Sequence, residues 1–300
     1  MFENKHNWKG YLYLAPALIL ILIFIIYPLF NTFLTSFKEN YQFMTGEYDG
    51  FSIQHYMDVF KSSKFKVAFK NTMILSIISV PVSIVIALLI SVGLNSIKRL
   101  QGFLQTIFFL PYVTNVIAIG LVFQFMFNHN YGIINTVIGW FGIGPVHWMD
   151  AYASYGEAMA VIIIYSIWSS LPFKIMVFLS GLQTIDKQYY QAAQIDATPK
   201  WRVFLRITVP LLSPMIMYIT ITSFMGAFKT YEHVLSLFGD GGTAGDPGNL
   251  KTMVWYIYEA LDSSKKGSVA VASASAVVLF IVIMIFTAIQ MYINKKRVHY

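Results

Sequence analysis

Residues 269–293 read VAVASASAVVLFIVIMIFTAIQMYI, without one charged side chain. About 20 mostly apolar residues, rising 1.5 Å each, cross the hydrocarbon core of a bilayer as a helix. A run this long and this apolar names lipid as its solvent, and the rest of the chain repeats the signal. The same criterion selects Tyr11–Phe37, around LAPALILILIFIIYPLF, then Ala68–Leu94, Phe103–Phe127, Ala158–Leu182 and Val209–Phe238. The expected fold class is therefore all-α: a polytopic integral membrane bundle of six transmembrane helices, with both termini on one side. Lys5 and Lys9 ahead of the first span imitate a signal-peptide start, but that apolar run is too long and no small-x-small cleavage site follows it. It reads as a retained anchor.

Composition agrees. Of 300 residues 57% are apolar and only 12% charged, about half the charged share of a soluble domain. An ordinary soluble enzyme is excluded. With no cysteine there are no disulfides, thiolate metal sites or cysteine nucleophiles. The net charge of +7 would suit nucleic acid only if it formed a basic patch on a polar surface, and here it does not. It sorts by topology instead. With cytoplasmic termini, that side holds Lys5, Lys9, Lys98, Arg99, Lys187, Lys200, Arg202, Arg206, Lys295, Lys296 and Arg297 against Glu3, Asp186 and Asp196. The opposite side holds Lys38, Lys61, Lys64, Lys66, Lys70, Lys251, Lys265 and Lys266, diluted by most of the acids. The expected organisation is a cytoplasmic N-terminus (1–10), a first transmembrane helix (11–37) and an external segment (38–67). A transmembrane domain (68–294) with a cytoplasmic segment at 183–210 follows, and a basic tail (295–300) ends the chain. Trp140 and Trp148 in the 128–152 loop suit a membrane interface. Prolines stand in or at the start of most spans, at 16, 28, 81, 111, 172, 210 and 214. Each loosens a backbone hydrogen bond that neighbouring helices can re-satisfy. No half of the chain echoes the other, unlike carriers built from inverted repeats.

The most informative stretch joins spans four and five: Gln183–Pro214, QTIDKQYYQAAQIDATPKWRVFLRITVPLLSP. It is too long for a simple turn and predicts a short helix, a break and a second amphipathic helix. Ile185, Tyr189 and Ala192–Ala193 share one face, where the paired alanines would admit another backbone. Thr198-Pro199 interrupts the pattern, because proline disfavours helical geometry in the residue before it. Trp201, Phe204 and Ile207 then form an apolar face, with Lys200, Arg202 and Arg206 left for water or headgroups.

These residues resemble the EAA signature of permease subunits in binding-protein-dependent ABC importers: Glu-Ala-Ala, three residues, Gly, nine residues, Ile-x-Leu-Pro. Here Gln191-Ala192-Ala193 is followed after three residues by Ala197, and after nine more by Ile207-Thr208-Val209-Pro210. Gln191, Ala197 and Val209 depart from the pattern, while Asp196 agrees with the family's usual Asp-Gly pair. The first span, FKVAFKNTMILSIISVPVSIVIALLISVGLN and LKTMVWYIYEAL are similar to the maltose-type carbohydrate permeases. The resemblance implies a MetI-like permease core in which Gln191, Ala192, Ala193, Asp196, Ala197, Ile207 and Pro210 belong to a coupling helix seated on a cytoplasmic ATPase. Ala197 accepts a positive φ poorly, so the helix break is expected to shift onto Thr198-Pro199. Further implied partners are a second homologous permease, two ATPase subunits carrying ATP and Mg, an external solute-binding protein and membrane lipid. Nucleic acid is not among them. The setting implied is the inner (cytoplasmic) membrane of a prokaryote.

No catalytic chemistry is legible in the chain itself. The glycine-rich run LFGDGGTAGDPGN (237–249) lacks the lysine of a phosphate-cradling loop and reads as an external loop. The six histidines show no metal-ligand spacing, and no cofactor or metal is expected on this chain. Polar groups in the spans are the remaining signal. Lys229 and Glu232, three apart, could pair on one helical face. Lys174 could snorkel to the cytoplasmic interface. Asn115, Gln124, Tyr165, Trp168 and Phe228 are candidates for a sugar-lined pathway, with Tyr165 and Trp168 on one face. The reading is the permease half of an ATP-driven carbohydrate importer. A permease for another solute, an ion-coupled secondary transporter and a non-transporting membrane scaffold stay open.

Overall fold

The computed structural model of the chain describes residues 7–97, 101–239, 249–261 and 267–295. Lys5, Lys98, Arg99, Lys265, Lys266, Lys296, Arg297 and most of the glycine-rich run lie outside them. The first apolar stretch folds as α1 (Asn7–Ile21), a π-helical turn (Leu22–Ile26) and α2 (Tyr27–Thr35). The turn has a local cause. Pro28 cannot donate to the carbonyl of Phe24 and its ring crowds that carbonyl, so the helix widens and continues. A minimal antiparallel pair follows, β1 (Lys38–Glu39) with β2 (Gly50–Phe51), Lys38 standing opposite Phe51. Next come α3 (Gln54–Lys61), α4 (Ser63–Ser96), α5 (Gln101–Val113), α6 (Val116–Met126), α7 (Ile133–Gly139) and α8 (Tyr155–Thr184). The connecting segment contains α9 (Lys187–Ile195), α10 (Lys200–Val203), a second π turn (Phe204–Thr208) and α11 (Val209–Leu211). The chain continues as α12 (Ser213–Phe228), α13 (Glu232–Phe238), α14 (Met253–Ala260) and α15 (Ser268–Lys295).

Four stretches are long and apolar enough to cross a bilayer: Gly10–Thr35, Ser63–Ser96, Tyr155–Thr184 and Ser268–Ile293. Two bent helix pairs bring the number to six if each pair is one span. Those pairs correct the sequence reading. The expected third span is not one helix, because α5 and α6 meet at 99°. Thr114 Oγ1 donates to the Leu110 carbonyl at 2.9 Å, closing α5. Asn115 turns extended, and its Oδ1 accepts from the amides of Ile117 (2.8 Å) and Ala118 (3.3 Å), opening α6. An asparagine N-cap of this kind is worth about 1 kcal/mol over alanine. The expected fifth span is also divided. The α10–α11 stretch meets α12 at 69°, between prolines 210 and 214. Pro214 leaves the carbonyl of Pro210 without its helical donor, and Pro210 does the same for Arg206. The second π turn, like the first, ends two residues before a proline. Helix α12 stops at Phe228, and α13 folds onto α6. Gly120 permits that contact. A Cβ there would lie 2.8 Å from the Ser236 carbonyl oxygen, which only backbone movement could relieve.

By internal contacts the chain divides into two compact units, residues 1–65 with 256–281, and 66–255 with 282–300. In the first, Tyr56 Oη and Ser36 Oγ are 2.7 Å apart, and the Gly267 amide donates to the Tyr41 carbonyl at 3.0 Å. The apolar side chains from Tyr11 to Leu34 are largely exposed, Phe24 in the π turn by 71%. In the second, one apolar cluster gathers Leu75, Phe123, Tyr165, Val234 and Trp255, and another Ala87, Ile175, Phe178, Leu212 and Ile219. Buried serines on α4 let helices approach closely, as small residues do in lipid. Ser91 Oγ, for example, lies 2.7 Å from the Ala87 carbonyl and 3.1 Å from that of Ile175 on α8.

Candidate functional site

The break between α5 and α6 opens a cavity of about 460 Å³ within the second unit. Its walls come from α4, α5, α6, α8, α12 and α13, and set into a largely apolar lining are the hydroxyl residues Ser79, Thr114, Ser166, Ser169, Ser170, Thr222, Ser223 and Thr230. Tyr112 and Phe173 add a stacked aromatic pair, ring centroids 6.2 Å apart and planes 20° apart. His233 closes one side, its Nδ1 3.2 Å from Ser166 Oγ and its ring edge-on to Tyr165. Lys174 completes the lining, and it is 4% exposed. Its Nζ donates to Ser83 Oγ on α4 and, at 3.1 Å, to Ser170 Oγ one turn back on α8. The snorkelling expectation is thereby corrected: the ammonium is held inside the bundle by two hydroxyls.

The residues expected to line a pathway separate. Tyr165 alone among them borders this cavity, fully buried, with its hydroxyl donating to the Val116 carbonyl at 2.7 Å. Asn115 is a helix cap. Gln124 ties α6 to α13, its Nε2 donating to the carbonyls of Ser236 (3.1 Å) and Leu237 (2.9 Å). Trp168 shares a face with Tyr165 as expected, and both pack on Phe123, at centroid distances of 5.5 and 4.8 Å. Phe228 is buried against Phe286 at 5.2 Å, an apolar contact. Lys229 and Glu232 are exposed and form no ion pair, because the helix ends between them and the three-residue spacing no longer describes one face. Sequence reasoning missed Ser166, Ser170 and His233, and assigned Lys174 to the interface. Ser166, Ser170 and Lys174 recur every fourth residue, one polar stripe along a mostly apolar helix, and that signal was available.

The coupling segment has its own geometry. Helix α9 starts at Asp186, whose Oδ1 accepts from the Gln188 amide at 2.9 Å. It ends with Ala197 at φ +48°, the Thr198 amide donating back to the Ala193 carbonyl at 2.9 Å. The break therefore stays on Ala197 and does not move to Thr198-Pro199. A side chain in this conformation costs about 1–2 kcal/mol that glycine would not. The alanine pair does not form one docking face either. Ala193 is buried, whereas Gln191, Ala192, Asp196 and Ala197 are exposed. The outward apolar stripe is Tyr189, Ala192 and Ile195, the last 86% exposed. Ile207 is half-buried within the second π turn and Pro210 is exposed just beyond it. Tyr190 Oη and Thr208 Oγ1, 3.3 Å apart, tie α9 to that turn.

The 128–154 loop contains a second polar cluster. His129 and His147 stack at 3.7 Å, planes 7° apart, and His147 Nδ1 lies 2.7 Å from Asp150 Oδ2. Their ligand atoms fall within 4.8 Å of one another, which the sequence spacing had hidden. Imidazole lone pairs lie in the ring plane, and parallel planes this far apart share no point at which both could meet an ion at about 2.1 Å. This arrangement serves instead as a loop clasp. Asn135 is its centre, its Nδ2 donating to the carbonyls of His129 and Val146 and its Oδ1 accepting from Trp148 Nε1 at 2.8 Å. Trp148 is therefore engaged within the protein, while Trp140 is 78% exposed.

A family model described as "binding-protein-dependent transport system inner membrane component" matches residues 79–300. The chain belongs to this permease family. Among its relatives, the lactose permease LacF of Rhizobium radiobacter is 30% identical over 98% of this chain and 97% of its own length. The trehalose/maltose permease MalF of Thermococcus litoralis is 27% identical over 96% and 94%. A bacterial ABC transporter involved in import of the acidic polysaccharide alginate contains a chain superposing with a TM-score of 0.79, covering 97% and 96% at 22% identity. That last likeness establishes the fold. The permease is a membrane-embedded transport subunit of the ABC importer type and not itself an ATPase.

Proposed function

We propose that this permease forms half of the translocation pathway of an ATP-driven carbohydrate importer. The observation that carries the reading is the cavity at the α5–α6 break, where many hydroxyls and one aromatic pair face a single space within apolar helices. Hydroxyls exchange hydrogen bonds with a sugar's hydroxyls, and flat rings cover its apolar faces. Relatives named for lactose, trehalose/maltose and arabinooligosaccharides support the cargo class.

The remaining half of the pathway would come from a second, homologous permease. Two cytoplasmic ATPase subunits, with ATP and Mg, would drive the cycle, and an external solute-binding protein would deliver cargo. A transporter structure carrying a pentasaccharide-bound periplasmic protein supports the last partner. The segment containing Gln191–Ala197 and Ile207–Pro210 is the coupling element, offering Tyr189, Ala192 and Ile195 to the ATPase. With that segment cytoplasmic, both termini are cytoplasmic too, in the inner membrane of a prokaryote. ATP binding then shifts the population between two arrangements of the paired permeases, and hydrolysis releases them.

Reconstitution tests this. The purified four-subunit complex in proteoliposomes, with its binding protein, should accumulate an oligosaccharide only when ATP is enclosed with the ATPase subunits. Uptake driven by an ion gradient in the permease alone would refute it.

A further inference from the structure

The geometry points to Lys174 as a specificity-determining residue that favours saccharides bearing a negative charge, whether uronate, phosphate or sulfonate. The inference rests on the carbohydrate reading above and narrows it.

Lys174 stands well inside α8 and Ser83 well inside α4, so their contact lies deep within the apolar part of the bundle. Both hydroxyls that meet the ammonium are already committed as donors elsewhere. Ser83 Oγ donates to the Val80 carbonyl at 2.9 Å, and Ser170 Oγ donates to that of Ile167 at 2.9 Å. Each therefore turns a lone pair toward Nζ, the orientation that suits a charged donor. Two neutral acceptors serve an ammonium with three N–H groups. No carboxylate lies within ion-pairing distance, and no Asp or Glu lines the cavity among the described residues. The acids described in this unit lie elsewhere than at the ammonium: Asp150 at His147, Glu157 in the cap of α8, Asp186 and Asp196 at the ends of α9, and Glu232 exposed at the start of α13, on the Tyr165 side of the cavity. A cation held in hydrocarbon without a counter-charge is costly, and such residues mark a pathway or a missing partner. Here the open side of Lys174 is the cavity itself. An anionic group on the cargo supplies the counter-charge, while the neighbouring hydroxyls of Ser169, Thr222 and Thr230 meet the sugar.

The test uses the complete complex with its binding protein in proteoliposomes. The probes are digalacturonate, a disaccharide phosphate, a sugar sulfonate and the neutral parent of each. The same binding protein serves every arm, so any change on substitution belongs to the permease. Wild type should take up at least one acidic probe about tenfold faster than its neutral parent, and Lys174→Gln should erase that preference while Lys174→Arg retains it. Faster uptake of the neutral parents by wild type overturns the inference and leaves the carbohydrate reading standing. So does an equal loss of acidic and neutral uptake in Lys174→Gln, the signature of a structural lysine or of one paired by the second permease. ATP-driven uptake of a peptide or amino acid with no uptake of any saccharide overturns both. Assembly and basal ATPase of each variant, read beforehand, separate misfolding from selectivity, and the conservative Lys174→Arg keeps the comparison within folded complexes.

Discussion

Tyr165 on α8 holds the carbonyl of Val116 at the first turn of α6, 2.7 Å from its hydroxyl. The two residues belong to different spans, and the bond fixes where the broken third span restarts. Tyr165 thus shapes the cavity at the break by holding its wall.

Replacing that hydroxyl gives the first prediction. Tyr165→Phe preserves the ring packing on Phe123 and removes one hydrogen bond to the Val116 carbonyl, which costs about 0.5–1.5 kcal/mol. Thermal unfolding of the purified complex should move down accordingly. An unchanged midpoint would mean that the break is held by something else.

The second prediction concerns Ala197, whose φ of +48° is favoured for glycine. Ala197→Gly should slow hydrogen exchange at the Thr198 amide, which closes α9 on Ala193, by the equivalent of about 1 kcal/mol. Ala197→Val should accelerate it. Identical exchange in all forms would contradict the left-handed assignment.

Coupling is tested on the exposed face of α9. Ala192→Glu adds charge to the outward stripe and leaves Ala193 packed. Cargo-stimulated ATPase should fall by at least about tenfold, the scale on which a desolvated unpaired charge disrupts an interface, while the permeases stay assembled. Ala193→Glu, by contrast, forces a carboxylate into a buried position and should unfold the segment. Full coupling in Ala192→Glu would move the docking face elsewhere.

The loop clasp predicts an acid step. Burial pushes the Asp150 carboxyl up, but the hydrogen bonds from His147 and the Tyr152 amide and the charge of His147 and His129 outweigh it, holding the group below its ordinary 3.8. A depressed folded value stabilises the clasp above 3.8 and loses that contribution as pH falls through the folded value. Hydrogen exchange across residues 146–152, taken relative to the intrinsic amide rate at each pH, should therefore hold down to about pH 4 and rise below it, a step that Asp150→Asn removes. A rise centred well above pH 4 in both proteins would assign the transition to another group.

Apolar length fixes a membrane helix without help from its neighbours, since the backbone satisfies its own hydrogen bonds and lipid accepts every apolar face. Hence α4, α8 and α15 were legible to within a few residues, and so was the helix–break–helix pattern at 183–210, though its break falls on Ala197 and not on Thr198-Pro199. What the sequence left undecided depends on partners far along the chain. Whether prolines and an asparagine bend a span is settled by what packs on the bend: Tyr165 meets Val116 and α13 rests on Gly120. Whether a lysine reaches for the interface or stays inside is settled by hydroxyls on two helices. Of two adjacent alanines in α9, helical periodicity turns them to different sides, but only packing decides that Ala193 is the covered one. The sequence by itself determined the solvent and the spans. Tertiary structure alone decided which polar groups hold the helices together and which face the cavity, because pairing energy in lipid belongs to a contact and not to a residue.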